Sequence, residues 1–208
     1  MRTRIKFCGL RRQEDVDAAL TAGADALGFV MWPESPRAAT AAGIADLRSQ
    51  APVPRVGVIV NLSPAEAREA VAVARLQALQ LHGDEDPRAY ASLGVPIIRA
   101  VQLRSQADVD AALTLPADVT VLVDAAAGAA RGGTGTTANW PLAAEVARRR
   151  PVILAGGLTP GNVGDAIRSV RPWGVDVSSG VESAPGVKDH AKLLAFADAV
   201  AASAREDQ

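Results

Sequence analysis

The sequence predicts a single (β/α)8 TIM barrel, an α/β fold with a parallel eight-stranded core, formed by one domain over residues 1–208. Three observations predict it. Short, continuously apolar runs recur about every 20–30 residues, with a helix-like segment between most of them, which is the pattern of a repeating strand–helix unit. Eight such runs are present, and 208 residues are near the low end for that fold and too few for two full-sized α/β domains. The last two runs end in small glycine- and serine-rich residues, as buried parallel strands do where they open into tight turns.

In chain order the candidate strands are 5–8, 26–30, 55–60, 78–81, 96–100, 119–123, 152–155 and 174–177. The segments between them carry apolar residues at helical spacing, such as Val16, Ala19 and Leu20, or Val109, Ala112 and Leu113. Ser63-Pro64-Ala65-Glu66 reads as an N-cap, a proline at the first helical position and a capping-box glutamate. Asp86-Pro87 repeats the cap and proline. After the seventh strand, Thr159 reads as an N-cap and Pro160 as the first helical residue. A last helix over 189–204, with Leu193, Leu194, Ala197 and Val200 on one side, closes the outer ring, and residues 205–208 read as a frayed tail. An open doubly wound sheet is the competitor. It is disfavoured by the regular repeat and because Cys8-Gly9-Leu10-Arg11-Arg12 follows the first strand in place of G-x-G-x-x-G.

Composition narrows the function. With 49% hydrophobic residues and a formal charge of -1, the chain can build a sizeable core and shows no dominant basic patch for nucleic acid. The run Arg148-Arg149-Arg150 reads as positive charge at the end of a helix, where it complements the dipole. Aromatic residues are only 3%, too sparse for base-stacking platforms. Cys8 is the only cysteine, which rules out an intrachain disulfide or cysteine-based zinc site and suits a cytoplasmic protein. The N-terminus lacks the apolar core of a signal peptide, and no run approaches the ~18 apolar residues of a membrane span.

In a barrel the C-terminal ends of the strands share one bowl, where chemistry is to be sought. The residues collected there are Lys6 and Cys8, Arg37, Asn61, His82, Arg99 and Gln102, and Asp124. Each has a plain alternative: a buried inert thiol for Cys8, a loop or capping role for His82, a cap for Asp124. The loops after strands seven and eight hold Gly156, Gly157, Ser178, Ser179 and Gly180, whose backbone N–H groups are uncovered by side chains. Two such loops side by side predict a phosphate cradle. The glycine-rich run 129–140 has the composition of a mobile lid, a plain linker being the alternative, and the triphosphate-binding P-loop pattern is absent from it.

These segments together resemble the phosphoribosylanthranilate isomerase family of tryptophan biosynthesis, end to end. The resemblance is carried in order by Lys6-Phe7-Cys8-Gly9, Gly28-Phe29 with Ser35-Pro36-Arg37, Val56-Gly57-Val58 with Asn61, and Gln80-Leu81-His82-Gly83. It continues through Asp124, Gly132-Gly133-Thr134-Gly135, Leu154-Ala155-Gly156-Gly157-Leu158 with Asn162-Val163, Gly174 to Glu182, and Pro185-Gly186-Val187-Lys188-Asp189. One departure is Ala138-Asn139-Trp140, where the family usually has Phe-Asp-Trp; Asn139 can still cap the next helix.

The resemblance implies a cofactor-free, metal-free Amadori rearrangement of N-(5'-phosphoribosyl)anthranilate. It implies Asp124 as general acid and Cys8 as general base. Arg37 would grip the anthranilate carboxylate with His82 as a second substrate-binding residue, and Gly156, Gly157, Ser179 and Gly180 would hold the phosphate. The partner is the small phosphoribosyl substrate, with no nucleic acid or membrane, and the chain is a monomer or homodimer. The related isomerase of histidine biosynthesis has an aspartate where Cys8 stands and a second phosphate loop in its first half. Asn61-Leu62-Ser63-Pro64-Ala65 supplies no such cradle. A catalytically silent phosphosugar-binding barrel is the alternative from another class.

Overall fold

The computed structural model describes residues 2–49, 51–124 and 138–203. Eight parallel strands close into a barrel in sequence order: β1 (Arg4–Cys8), β2 (Ala26–Val30), β3 (Arg55–Ile59), β4 (Ala78–Leu81), β5 (Ile97–Gln102), β6 (Thr120–Asp124), β7 (Val152–Leu154) and β8 (Gly174–Val177). β8 pairs back onto β1 with Lys6 opposite Asp176, and β1 pairs β2 with Cys8 opposite Gly28. The helices between them are α1 (Gln13–Thr21), α2 (Ala41–Asp46), α3 (Pro64–Ala74), α4 (Gln106–Thr114), α5 (Trp140–Ala147), α6 (Val163–Val170) and α7 (His190–Ser203). After β4 the Asp86-Pro87 start opens a 3-10 turn, Pro87–Leu93, which Gly94 ends at φ 73°. A short antiparallel pair, β9 (Glu182–Ala184) and β10 (Val187–Lys188), follows β8.

Side-chain alternation explains why these strands lack a clean polar face. Phe7, Leu79, Leu81, Val121, Val123, Leu154 and Val175 face the helices, while Val56, Ala78, Ile98, Leu122, Ile153 and Ala155 fill the barrel interior. The same parity aims Lys6, Cys8, Gln80, Asp124 and Asp176 into the barrel above that plug. Polar groups are thereby concentrated at its C-terminal end.

The helix punctuation holds in several places. Ser63 Oγ accepts from Glu66 N, and Glu66 Oε2 accepts from Ser63 N at 2.7 Å, closing the capping box of α3. Asn139 Oδ1 accepts from Leu142 N at 3.3 Å, so asparagine does cap α5. Two expectations are corrected. Thr159 does not cap a helix that starts at Pro160: α6 begins at Val163 behind Asn162, because Asn162 ties the turn by accepting from Thr159 N and donating to Gly157 O. Arg150 does more than complement its own helix dipole. It donates to the carbonyls of Ala112, Leu115, Pro116 and Val119, satisfying the free C-terminal end of α4 and the entry to β6. The tail 205–208 and all but the end of the predicted lid lie outside the described residues.

A half-buried clasp joins the first and last helices. Asp15 takes Arg12 Nε and Nη2 at 2.9 and 2.8 Å and lies 2.9 Å from His190 Nε2. Burial alone would push the Asp15 carboxyl up, but Arg12 and His190 outweigh it and hold it below the ordinary carboxylate range. A depressed carboxyl contributes stability above its unfolded value, about 3.9, and that contribution is lost as pH falls through the folded value. Asp15→Asn is therefore expected to lower stability by about 1–3 kcal/mol at neutral pH. The difference from wild type should shrink below pH ~4, and circular dichroism melts across that range check it.

Candidate active site

A cleft of about 740 Å3, including space open to solvent, lies at the C-terminal end of the barrel. Cys8, Arg37, His82, Asp124, Gly156, Gly157, Ser179 and Gly180, each expected from the sequence, line it together. Trp32, Ser35, Gln80, Asp176 and Ser178 line it too. Arg99 and Gln102 do not belong to it: Arg99 follows inward-facing Ile98, so it points outward to Glu85 at 3.2 Å, and Gln102 is taken up by Arg104. Asn61 instead braces the loop after β4, donating from its backbone to Glu85.

Cys8 sits at the end of β1 beside two buried lysines. Lys6 Nζ bonds Asp176 Oδ1 at 2.9 Å, a pair fixed by strand register. Burial opposes the Lys6 ammonium, but Asp176 and then Cys8 outweigh it, and its pKa is raised. Burial pushes the Cys8 thiol up; Lys6 and Lys188 pull against the rise and Asp176 adds to it. Gly28 makes this contact possible. A Cβ there would lie 2.9 Å from Cys8 Sγ and 3.0 Å from Lys6 Nζ.

Arg37, from the loop after β2, is already gripped. Its Nε and Nη2 fork onto Glu182 at 2.8 and 2.7 Å, and Glu182 Oε1 also takes Lys188 Nζ at 2.9 Å. Burial would raise the Glu182 carboxyl, yet Arg37 and Lys188 lower it, so it stays ionised. Lys188 also donates to Ser178 O at 3.0 Å. One buried ion cluster thus ties the β2 loop to the turn that follows β8.

Beside that turn, in the loop after β7, Gly156 and Gly157 adopt φ 79° and 64°, and their N–H groups donate to no described residue. Ser179–Val181 forms a 3-10 turn whose first amides have no intrahelical partner. A Cβ on Gly180 would come 1.8 Å from Leu158 O, so only glycine lets the two loops meet. Open amides from both loops make an anion-binding concavity.

Across the cleft, Asp124 ends β6 with Oδ2 3.2 Å from His82 Nε2, and His82 Nδ1 lies 2.9 Å from Gln80 Nε2. The predicted substrate-binding histidine is therefore joined to the predicted acid. Asp176 and Gln80 received no role from the sequence, although each left a signal: a polar residue inside an otherwise apolar buried strand, GVDV and ALQL. Among the described residues no cluster of His, Cys, Asp and Glu could hold a metal ion, and no helix is long and apolar enough to cross a membrane.

Comparison with known proteins gives a concordant result. A family model described as N-(5'-phosphoribosyl)anthranilate (PRA) isomerase matches residues 5–199. The N-(5'-phosphoribosyl)anthranilate isomerase of Chromohalobacter salexigens is 48% identical over 199 residues, covering 94% of this chain and 92% of its own. Monomers generated from the dimeric phosphoribosylanthranilate isomerase of Thermotoga maritima superpose with a TM-score of 0.85 at 35% identity, covering 96% of this chain and 99% of theirs. A phosphoribosyl anthranilate isomerase in complex with reduced 1-(o-carboxyphenylamino)-1-deoxyribulose 5-phosphate superposes with a TM-score of 0.84 at 34% identity, over 96% and 99% of the two chains. On its sequence, its barrel and its cleft, this chain belongs to the N-(5'-phosphoribosyl)anthranilate isomerase family.

Proposed function

We propose that this chain converts N-(5'-phosphoribosyl)anthranilate to 1-(2-carboxyphenylamino)-1-deoxyribulose 5-phosphate in tryptophan biosynthesis, with Asp124 as general acid and Cys8 as general base. The observation that carries this reading is the arrangement around the barrel: the carboxyl on β6 and the thiol on β1 are separated by β7 and β8, whose loops present the open amides. A phosphate held there sets the attached sugar between acid and base.

Asp124 gives its proton to the furanose ring oxygen, the bond from that oxygen to C1' breaks, and the nitrogen lone pair closes the Schiff base. The Cys8 thiolate then takes the proton from C2'; the freed pair forms C1'=C2' and the imine pair returns to nitrogen. The enolamine gains a proton at C1' and loses its hydroxyl proton as the C2' ketone forms, so no atom is gained or lost. Lys6, held by Asp176, and Lys188 supply the positive charge beside the thiolate. Arg37 keeps its Nη1 donors for the anthranilate carboxylate while Glu182 holds the fork in place. The reaction draws on no metal or cofactor. The small substrate is the partner, the compartment is the cytoplasm, and the assembly is a monomer or homodimer.

The test follows anthranilate-linked fluorescence as substrate made in situ is consumed by purified protein without added metal or cofactor. Turnover is the expected result. A folded preparation that binds phosphosugar yet is inert replaces this reading with a silent binding barrel.

A further inference from the structure

Gln80 is a polar side chain that the fold buries and leaves half satisfied. It lies on β4 between Leu79 and Leu81, faces the barrel interior, is 2% exposed and lines the cleft. Its Nε2 meets His82 Nδ1 at 2.9 Å, whereas its Oε1 is buried with no partner among the described residues. Native folds rarely leave such an oxygen unpaired, because its desolvation is uncompensated. Gln80 thus borders the cleft with a buried acceptor that no described residue satisfies.

The other end of the amide has a separate consequence. An amide N–H can only donate, so Nδ1 of His82 is the accepting nitrogen and the neutral ring carries its hydrogen on Nε2. That hydrogen faces Asp124 Oδ2 at 3.2 Å.

We propose that Gln80 serves the reaction in two ways: its amide N–H locks His82 in the Nε2–H tautomer that orients Asp124, and its Oε1 accepts a hydrogen bond from a ribose hydroxyl of the substrate. A hydroxyl is the donor that fits, because the phosphate cradle and Arg37 hold the two anionic ends of the substrate near the rim. The sugar between them then lies over the strand ends, where Gln80 faces inward. The hydroxyl contact rests on the isomerase reading of the cleft; the tautomer lock does not.

The test has an arm for each part. The chain contains two histidines, so in 15N-labelled ligand-free protein the His190→Gln variant leaves His82 as the only imidazole. The expected spectrum shows a protonated, pyrrole-type Nε2 and an unprotonated Nδ1. In Gln80→Glu the ionised carboxylate can only accept, so hydrogen appears on Nδ1. In turnover, Gln80→Glu keeps an acceptor for the sugar but loses the lock, so kcat falls roughly tenfold or more with KM little changed. Gln80→Leu loses both, so KM also rises about tenfold.

An Nδ1–H tautomer in the wild-type Gln80 background overturns the lock. Wild-type KM in Gln80→Leu overturns the hydroxyl contact. An inert wild type that shows the expected tautomer overturns the isomerase reading and the hydroxyl contact with it, and leaves the lock standing. Should Gln80→Leu fail to fold, a KM in Gln80→Glu raised as much as its kcat is lowered overturns the division between the two ends of the amide.

Discussion

Asp124→Asn and Cys8→Ala are each expected to lower kcat/KM by at least about 100-fold, the usual contribution of a general acid or base. Both variants should fold. Asparagine keeps an acceptor for His82 Nε2, and alanine removes one buried sulfur from the end of β1. The double variant should fall little below the weaker single one, since acid and base act on one rearrangement and their losses do not add. The pH profile separates the roles. Burial pushes the Cys8 thiol up, and a base works deprotonated, so wild-type kcat/KM should climb toward alkaline pH, through and beyond the ordinary thiol range near ~8.5. Cys8→Ala should flatten that climb. A Cys8→Ala enzyme with the wild-type profile removes the thiol from the mechanism.

Lys6→Met should be the most damaging change to stability. The lysine side chain is 4% exposed and its partner Asp176 is 8% exposed, so the variant leaves a buried carboxylate unpaired. Breaking such a pair typically costs about 3–5 kcal/mol. It also takes away the cation nearest Cys8, so the thiol rises further and less of it is available as base. The double variant Lys6→Met/Asp176→Asn removes both charges and should recover much of the melting temperature without recovering activity. Recovery of both would mean that the pair serves only to hold β1 against β8.

The barrel was legible because its signal is local and repeated. Apolar runs with helical segments between them gave all eight strands to within two residues at either end, since a strand buried on both faces must be apolar throughout. The capping box at Ser63 and the cap at Asn139 were equally local, each satisfied within one turn of chain. Thr159 was misread because cap preference is a property of short polar side chains in general, and Asn162 outcompeted it by bridging the turn on both sides. Arg99 was misplaced for a different reason: nearness to a strand end does not say which face a residue takes. One step of parity sends it to Glu85.

By itself, then, the sequence determined the fold, the family and part of the cleft's polar lining, because these depend on periodicity and on short ordered segments. Only the tertiary structure decided who touches whom. Lys6 meets Asp176, 170 positions away, because β8 closes onto β1. Arg37 reaches Glu182 across 145 positions because the β2 loop folds over the turn after β8. Gln80 becomes a partner of His82 because alternate residues of β4 share the inner face. Such contacts are set by barrel closure and strand register, which no local stretch of chain encodes, and they determine which charges neighbour the thiol and which hydrogen faces the acid.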